Sequence, residues 1–405
     1  MKRLYRLATI GAMTFVLAAA VTPSPNTAFA TKRNSTATAP AKASYETARS
    51  SGTGQIAALA SIQPGATSSA GSSGYVAPAG ASSSRSTPKH GGSSPTVSPQ
   101  PDPTTTNTPA ALDGLRLMNY FPAHHGWSRM WFEWDPTTLR NDFARMSDMG
   151  ANAVRLILPT DVFGYPTASS LMLDRLSTVI DMASAAGLKV QLTLFENWSS
   201  FADVSGSQKW ATQILSPFKA DPRIVLVEIK NELNPYDSAA MTWARTMIPF
   251  VRSLTDAPVA VSGAGDLPWF TDLVKALDAT RPDVFSYHFY GDPSNAAATF
   301  YWAKRIAAPT TVFIGEAGYS TGTSGDTASD PSLEQSQDGF FRAVEAATVS
   351  QGLPAAAPWT LWDFAPGTLC TCAPGKEYHF GLLRLDGSEK PAYATVRTFF
   401  TTGKA

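Results

Sequence analysis

From Leu112 onward the chain alternates short apolar, β-branched runs with amphipathic stretches, and it does so eight times. The runs fall at residues 115–119, 153–158, 189–195, 224–228, 259–262, 284–288, 311–315 and 358–362. Helical patterns separate them, for example at 138–149, 171–186, 239–254 and 333–349. Gly150 and Gly187 stand where helix stop signals belong. Strands that alternate with helices over about 290 residues imply a parallel α/β sheet, and a count of eight predicts a (β/α)8 TIM barrel. A doubly wound open sheet is the alternative. It would want a Gly-rich phosphate loop after the first run, and none follows.

The barrel accounts for residues 111–405. Residues 31–110 are Ser, Thr, Pro, Ala and Gly with few large apolar groups, and all ten Trp follow Ala110. Such a stretch buries too little surface to offset its ordering entropy, so it is expected to be a disordered linker. Residues 1–30 read as a signal peptide. Lys2, Arg3 and Arg6 precede an apolar stretch from Leu7 to Val21, and Ala28-Phe29-Ala30 fits a cleavage site. The expectation is a secreted, extracellular monomer with no membrane association after cleavage. The 32 basic and 32 acidic residues balance, which excludes the basic excess of a nucleic-acid binder. The only cysteines, Cys370 and Cys372, are read as a local loop staple, with a metal pair as the alternative.

In such a barrel the functional side chains gather at the C-terminal strand ends. Glu232 follows the fourth run and Glu316 the seventh. Paired carboxylates are what glycoside hydrolysis needs, one as acid/base and one as nucleophile. Strands four and seven face each other across eight, so a retaining separation of ~5–5.5 Å is expected. The other ends bring Asn119, Arg155, Glu196 with Trp198, Asn231, His288 with Tyr290, and Trp362. Glu228 alternates into the interior and reads as a buried ion-pair member rather than a catalyst. Trp127, Trp131 and Trp134 could line a cleft or form a core face. His124 and His125 lack a spaced cluster, so neither a metal nor a cofactor is expected.

Taken together, Arg155, Asn231-Glu232, His288-x-Tyr290, Glu316 and Trp362 resemble the active-site set of clan A glycoside hydrolases, and most of all glycoside hydrolase family 5, the cellulase and mannanase family. Glu228-Ile229-Lys230-Asn231-Glu232 is similar to that family's strand-four signature, and the segment from Phe380 to Ala392 to its closing one. The resemblance implies Glu232 as acid/base and Glu316 as nucleophile. It implies Asn231 on the sugar 2-hydroxyl, Tyr290 and Arg155 on Glu316, His288 among the carboxylates, and Trp362 as the floor under the sugar. Trp198 and Asn119 join the expected substrate-binding set from their strand-end positions. The family often has a His at the end of strand three, where this chain has Glu196-Asn197-Trp198. The implied activity is a secreted retaining hydrolase of polysaccharide or oligosaccharide, first an endo-β-1,4-glucanase. An endo-β-mannanase, or an exo-acting glycosidase or transglycosylase, is the alternative. A non-catalytic carbohydrate-binding cell-wall protein is the rival of another class.

Overall fold

The computed structural model describes residues 109–264, 266–324, 328–369 and 375–404. The signal peptide, almost all of the linker, and Cys370 and Cys372 lie outside the described residues. Among the described residues no helix is long and apolar enough to cross a membrane.

Seven parallel strands pair in chain order: β1 (Leu117–Asn119), β2 (Ala153–Pro159), β3 (Lys189–Glu196), β4 (Ile224–Glu228), β5 (Val259–Gly263), β6 (Val284–Phe289) and β7 (Thr311–Ala317). Helices follow the strands and cover the outside. Several start with an aspartate that caps free backbone N–H groups: Asp135 before Pro136–Asp148, Asp237 before Ser238–Leu254, and Asp330 before Pro331–Gln351. Gly150 and Gly187 end their helices at φ +93° and +78°, as the sequence pattern predicts.

The expected eighth strand differs. It makes isolated bridges at Pro358 and Trp362 rather than a full ladder. Ala357 and Trp359 donate to Ile314 and Ala317 of β7 at 2.9 and 2.8 Å. The next donors on the β1 side would be residues 358 and 360. Pro358 has no N–H, and the Thr360 N–H goes to Phe380 instead. The seam with β1 rests on Asn119 N–H to the Pro358 carbonyl at 3.3 Å, the Thr360 hydroxyl to the Asn119 carbonyl at 2.9 Å, and the Asn119 side chain. It closes the TIM barrel.

Inward side chains change character along the strands. Near the N-terminal ends they are Leu117, Ala153, Leu226, Ala260, Val284 and Phe313, a small apolar plug closed by Leu112 and Leu115. Two residues further along the same alternation come Asn119, Arg155, Glu228, Ser262 and Ser286, all buried. The apolar layer fixes the barrel, and the polar layer above it is the floor of a site.

Candidate active site

Arg155 organises that floor. Its guanidinium donates to Glu228 Oε2 from Nε at 3.0 Å and from Nη2 at 2.6 Å. It also reaches Asn119 Oδ1 at 3.0 Å and Asn231 Oδ1 at 2.8 Å, and it pairs with Glu316. Thr193 and Gln191 complete the shell of Glu228 at 2.6 and 3.2 Å. Burial pushes the Glu228 carboxyl up, but Arg155, His288 and the Ser262 and Thr193 hydroxyls together outweigh it and hold the group below its ordinary range. The same two carboxylates outweigh the burial of Arg155 and hold its guanidinium firmly charged.

Glu316 reaches this layer through a break in regular pairing. Tyr287 pairs with Ile314, but His288 pairs with Glu316, so Gly315 is an extra residue on β7. This bulge turns Glu316 inward, where simple alternation from Phe313 would turn it out. The bulge needs a glycine, because a Cβ there would lie 1.9 Å from Ser286 Oγ. Glu232 also depends on local backbone, with φ at +46° and its N–H on Ser262 Oγ at 2.7 Å.

The two carboxylates converge. An oxygen of each lies within 4.8 Å of the other and of a His288 ring nitrogen. His288 Nδ1 lies 2.9 Å from Glu232 and 3.3 Å from Glu316. Tyr290 donates its hydroxyl to Glu316 Oε2 at 2.6 Å. Burial pulls the His288 pKa down, yet the two glutamates raise it above its ordinary value. Burial and Glu316 hold the Tyr290 phenol protonated. Glu232, His288 and Glu316 are close enough to hold a metal ion. Glu316 already faces Arg155 and Tyr290, however, and a guanidinium repels a cation.

The expected substrate-binding residues divide. Asn231 and Tyr290 are half-buried and face the opening. Arg155, Asn119 and His288 are closed to a ligand at 1% exposure or less. Asn119 spends its amide on Arg155 and on the Gly315 and Ala357 carbonyls at 3.0 and 3.3 Å, so it braces the floor. Trp198 is buried against Tyr165, with ring centroids 3.9 Å apart.

Trp362 is not brought to the pair. After Thr360 the chain leaves the barrel wall to pair with residues 380–383, and this carries Trp362 outward. Its ring lies beside Asp142, with Arg145 5.9 Å from its centroid, in a separate cleft of about 510 Å³. The aromatic at the glutamates is Trp359, which lies beside Glu377, whose carboxyl feels both Glu316 and Glu232. Trp127, half-buried, lies 5.6 Å from Trp359, whereas Trp131 is core. Trp359→Ala is expected to cut turnover by about 100-fold or more, since the platform beside the reacting atoms is lost. Trp362→Ala should lower the melting temperature with turnover within about threefold. Kinetics and thermal melts of the two variants check this contrast.

Sequence reasoning also passed over Lys230 as a site residue. Its ammonium is buried beside Glu196 and, among the described residues, has only the Phe195 carbonyl at 3.4 Å as a hydrogen-bond acceptor. Burial lowers the Lys230 pKa and raises that of Glu196, each opposed by the other's charge. Glu196 stands where a family His was expected. The period-two phase of Lys230 with Glu228 and Glu232 was the available signal.

The model of the cellulase family, glycosyl hydrolase family 5, matches residues 107–365. Among solved structures, an exo-β-1,4-mannosidase, Op5Man5 from Opitutaceae bacterium strain TAV5, superposes with a TM-score of 0.57 at 21% identity, over 70% of this chain and 58% of that one. A GH5_18 protein from Streptomyces cattleya, solved with GlcNAc, gives 0.56 at 18% identity over 72% and 81%. A GH5_18 protein from Bifidobacterium longum subsp. longum gives 0.58 at 16% over 72% and 80%. No curated protein sequence matches the chain. A match over well more than half of the chain, on a barrel with two converging glutamates at the ends of its fourth and seventh strands, shows that the chain belongs to glycosyl hydrolase family 5 and is a glycoside hydrolase.

Proposed function

We propose that the protein hydrolyses β-1,4-linked hexose chains by double displacement, with Glu316 as nucleophile and Glu232 as acid/base. The observation that carries this is the short distance between the carboxylates, whose oxygens lie within 4.8 Å. Retaining enzymes need roughly 5–5.5 Å between the carboxyls, while inverting ones leave roughly 6.5–9.5 Å for a water molecule.

Glu316 attacks the anomeric carbon while Glu232 protonates the departing oxygen. A covalent glycosyl-enzyme forms, and Glu232 then takes a proton from the water that hydrolyses it. Arg155 and Tyr290 hold Glu316 aimed at one point. Asn231 gives its carbonyl oxygen to Arg155, which leaves its NH2 to donate to the sugar 2-hydroxyl.

Glucan is the first substrate from the sequence. A β-mannoside is the second reading, supported by the likeness to an exo-β-1,4-mannosidase. Internal cleavage needs a cleft open at both ends. Glu316 and Trp359 are only 4% and 5% exposed, and the turn Gly375–His379 carries Glu377 onto Trp359. That enclosure favours release of sugar from a chain end over the internal cut expected from sequence. We also propose export, on the strength of the N-terminal charged and apolar pattern.

The expected result for Glu232→Gln is a loss of about 100-fold or more on poor leaving groups and far less on an activated aryl β-glycoside. Azide should restore turnover and give the β-glycosyl azide, since it attacks the glycosyl-enzyme without needing a base. Equal losses on both substrates, with no azide product, reject Glu232 as the acid/base.

A further inference from the structure

Double displacement uses two carboxylates, and this site has one more at its mouth that the reaction does not need. Glu377 lies in the short turn Gly375–His379. The turn is pinned from both flanks. The Ser320 hydroxyl donates to the Lys376 carbonyl at 2.8 Å, Phe364 N–H to the Tyr378 carbonyl at 3.0 Å, and Thr321 N–H to the His379 carbonyl at 3.0 Å. Ser320 and Thr321 follow β7, and Phe364 follows the eighth segment. Glu377 is therefore held at a fixed place above the wall that Glu316 and Trp359 share.

Its side chain is half-buried and lies beside the Trp359 indole. It feels the charges of Glu316 and Glu232, and Tyr290 feels its charge in turn. Gly318 lets Trp359, Phe380 and Tyr290 approach one another: a Cβ there would meet the Trp359 carbonyl at 2.8 Å and the Tyr290 ring at 3.0 Å. Burial pushes the Glu377 carboxyl up to about 7. Hydrogen-bond donors brought by a ligand would favour its charged form. An ionised carboxylate has about four lone-pair positions with which to accept them.

A sugar ring has an apolar face and a rim of hydroxyl donors. Trp359 offers a surface for the face, and Glu377, held beside it by the pinned turn, offers an acceptor for the rim. We propose that Glu377 is a specificity residue that accepts hydrogen bonds from hydroxyls of the sugar lying on Trp359, on the side of the ring away from the bond being cut. This rests on the double-displacement reading above and deepens it. Glu377 selects a terminal sugar by its free hydroxyls.

The test uses the full-length protein and the aryl β-glycoside it cleaves best, together with the 3-, 4- and 6-deoxy forms of that glycoside. Glu377→Gln keeps the shape of the side chain and one acceptor oxygen, so a residue that only packs against Trp359 would be spared. The expected result is a loss of about 10–100-fold in kcat/KM on the full glycoside. On one deoxy form, the form lacking the hydroxyl that Glu377 reads, wild type and variant should become equal. A variant with wild-type kcat/KM overturns the proposal, as does a loss of equal size on the full glycoside and all three deoxy forms. If wild type cleaves no aryl β-glycoside, the double-displacement reading itself fails, which is a separate outcome.

Discussion

Replacing Glu316 by Gln is expected to abolish hydrolysis while leaving the fold in place. The amide has nearly the same shape, can still meet the Tyr290 hydroxyl, and leaves Arg155 paired with Glu228. It cannot form the glycosyl ester. A loss of at least about 10⁴-fold in kcat is expected, comparable to removing other covalent nucleophiles. Circular dichroism and a thermal melt should match wild type. The stereochemistry of the first-formed product, followed by NMR on wild type, reads the same role independently, with the β anomer expected. Near-native activity in the variant, or an α anomer formed first, rejects Glu316 as nucleophile.

The second large effect is on stability. Arg155→Met leaves Glu228, which is fully buried, and Glu316 without their cation. Removing one partner of a buried pair costs about 3–5 kcal/mol. At 2–4 °C per kcal/mol for a domain of this size, the melting temperature should fall by about 10 °C. The pH dependence has a definite sign. In wild type the Glu228 carboxyl is held below its ordinary value. It therefore contributes stability above the unfolded pKa, and loses it as pH falls through the lowered one. In the variant burial is left to dominate, the carboxyl rises, and stability falls as pH increases. The gap between the two proteins should widen from pH 5 to pH 8 in thermal melts. A melting temperature within about 2 °C of wild type at pH 8 would show that Arg155 is not the keystone of the floor.

Periodicity carried most of the barrel. Runs such as 224–228 and 153–158 are legible because a strand buried on both faces leaves a nearly continuous apolar record. Glu232 and Glu316 were found because each ends such a run. What periodicity could not carry were the irregularities. Alternation alone turns Glu316 outward, and the inserted Gly315 brings it in. The eighth run looks like its siblings, yet the missing Pro358 donor and the diversion of Thr360 to Phe380 end its ladder early. That departure exchanged the two tryptophans, so Trp359 rather than Trp362 stands at the glutamates. Glu377 had no signature at all. It is brought to the site by a turn outside any strand, and contacts of that kind depend on tertiary packing.

The weak seam between the eighth segment and β1 gives the wall of the site a mechanical grain. Glu232 follows a strand paired on both sides, and Glu316 lies on β7, which is laced to β6 and tied on its other side to Ala357 and Trp359. Trp359 hangs on the seam, tied by backbone to β7 but not laced to β1. The sparsest backbone pairing in the wall thus lies beside Trp359, and not between the strands that bring the two glutamates together.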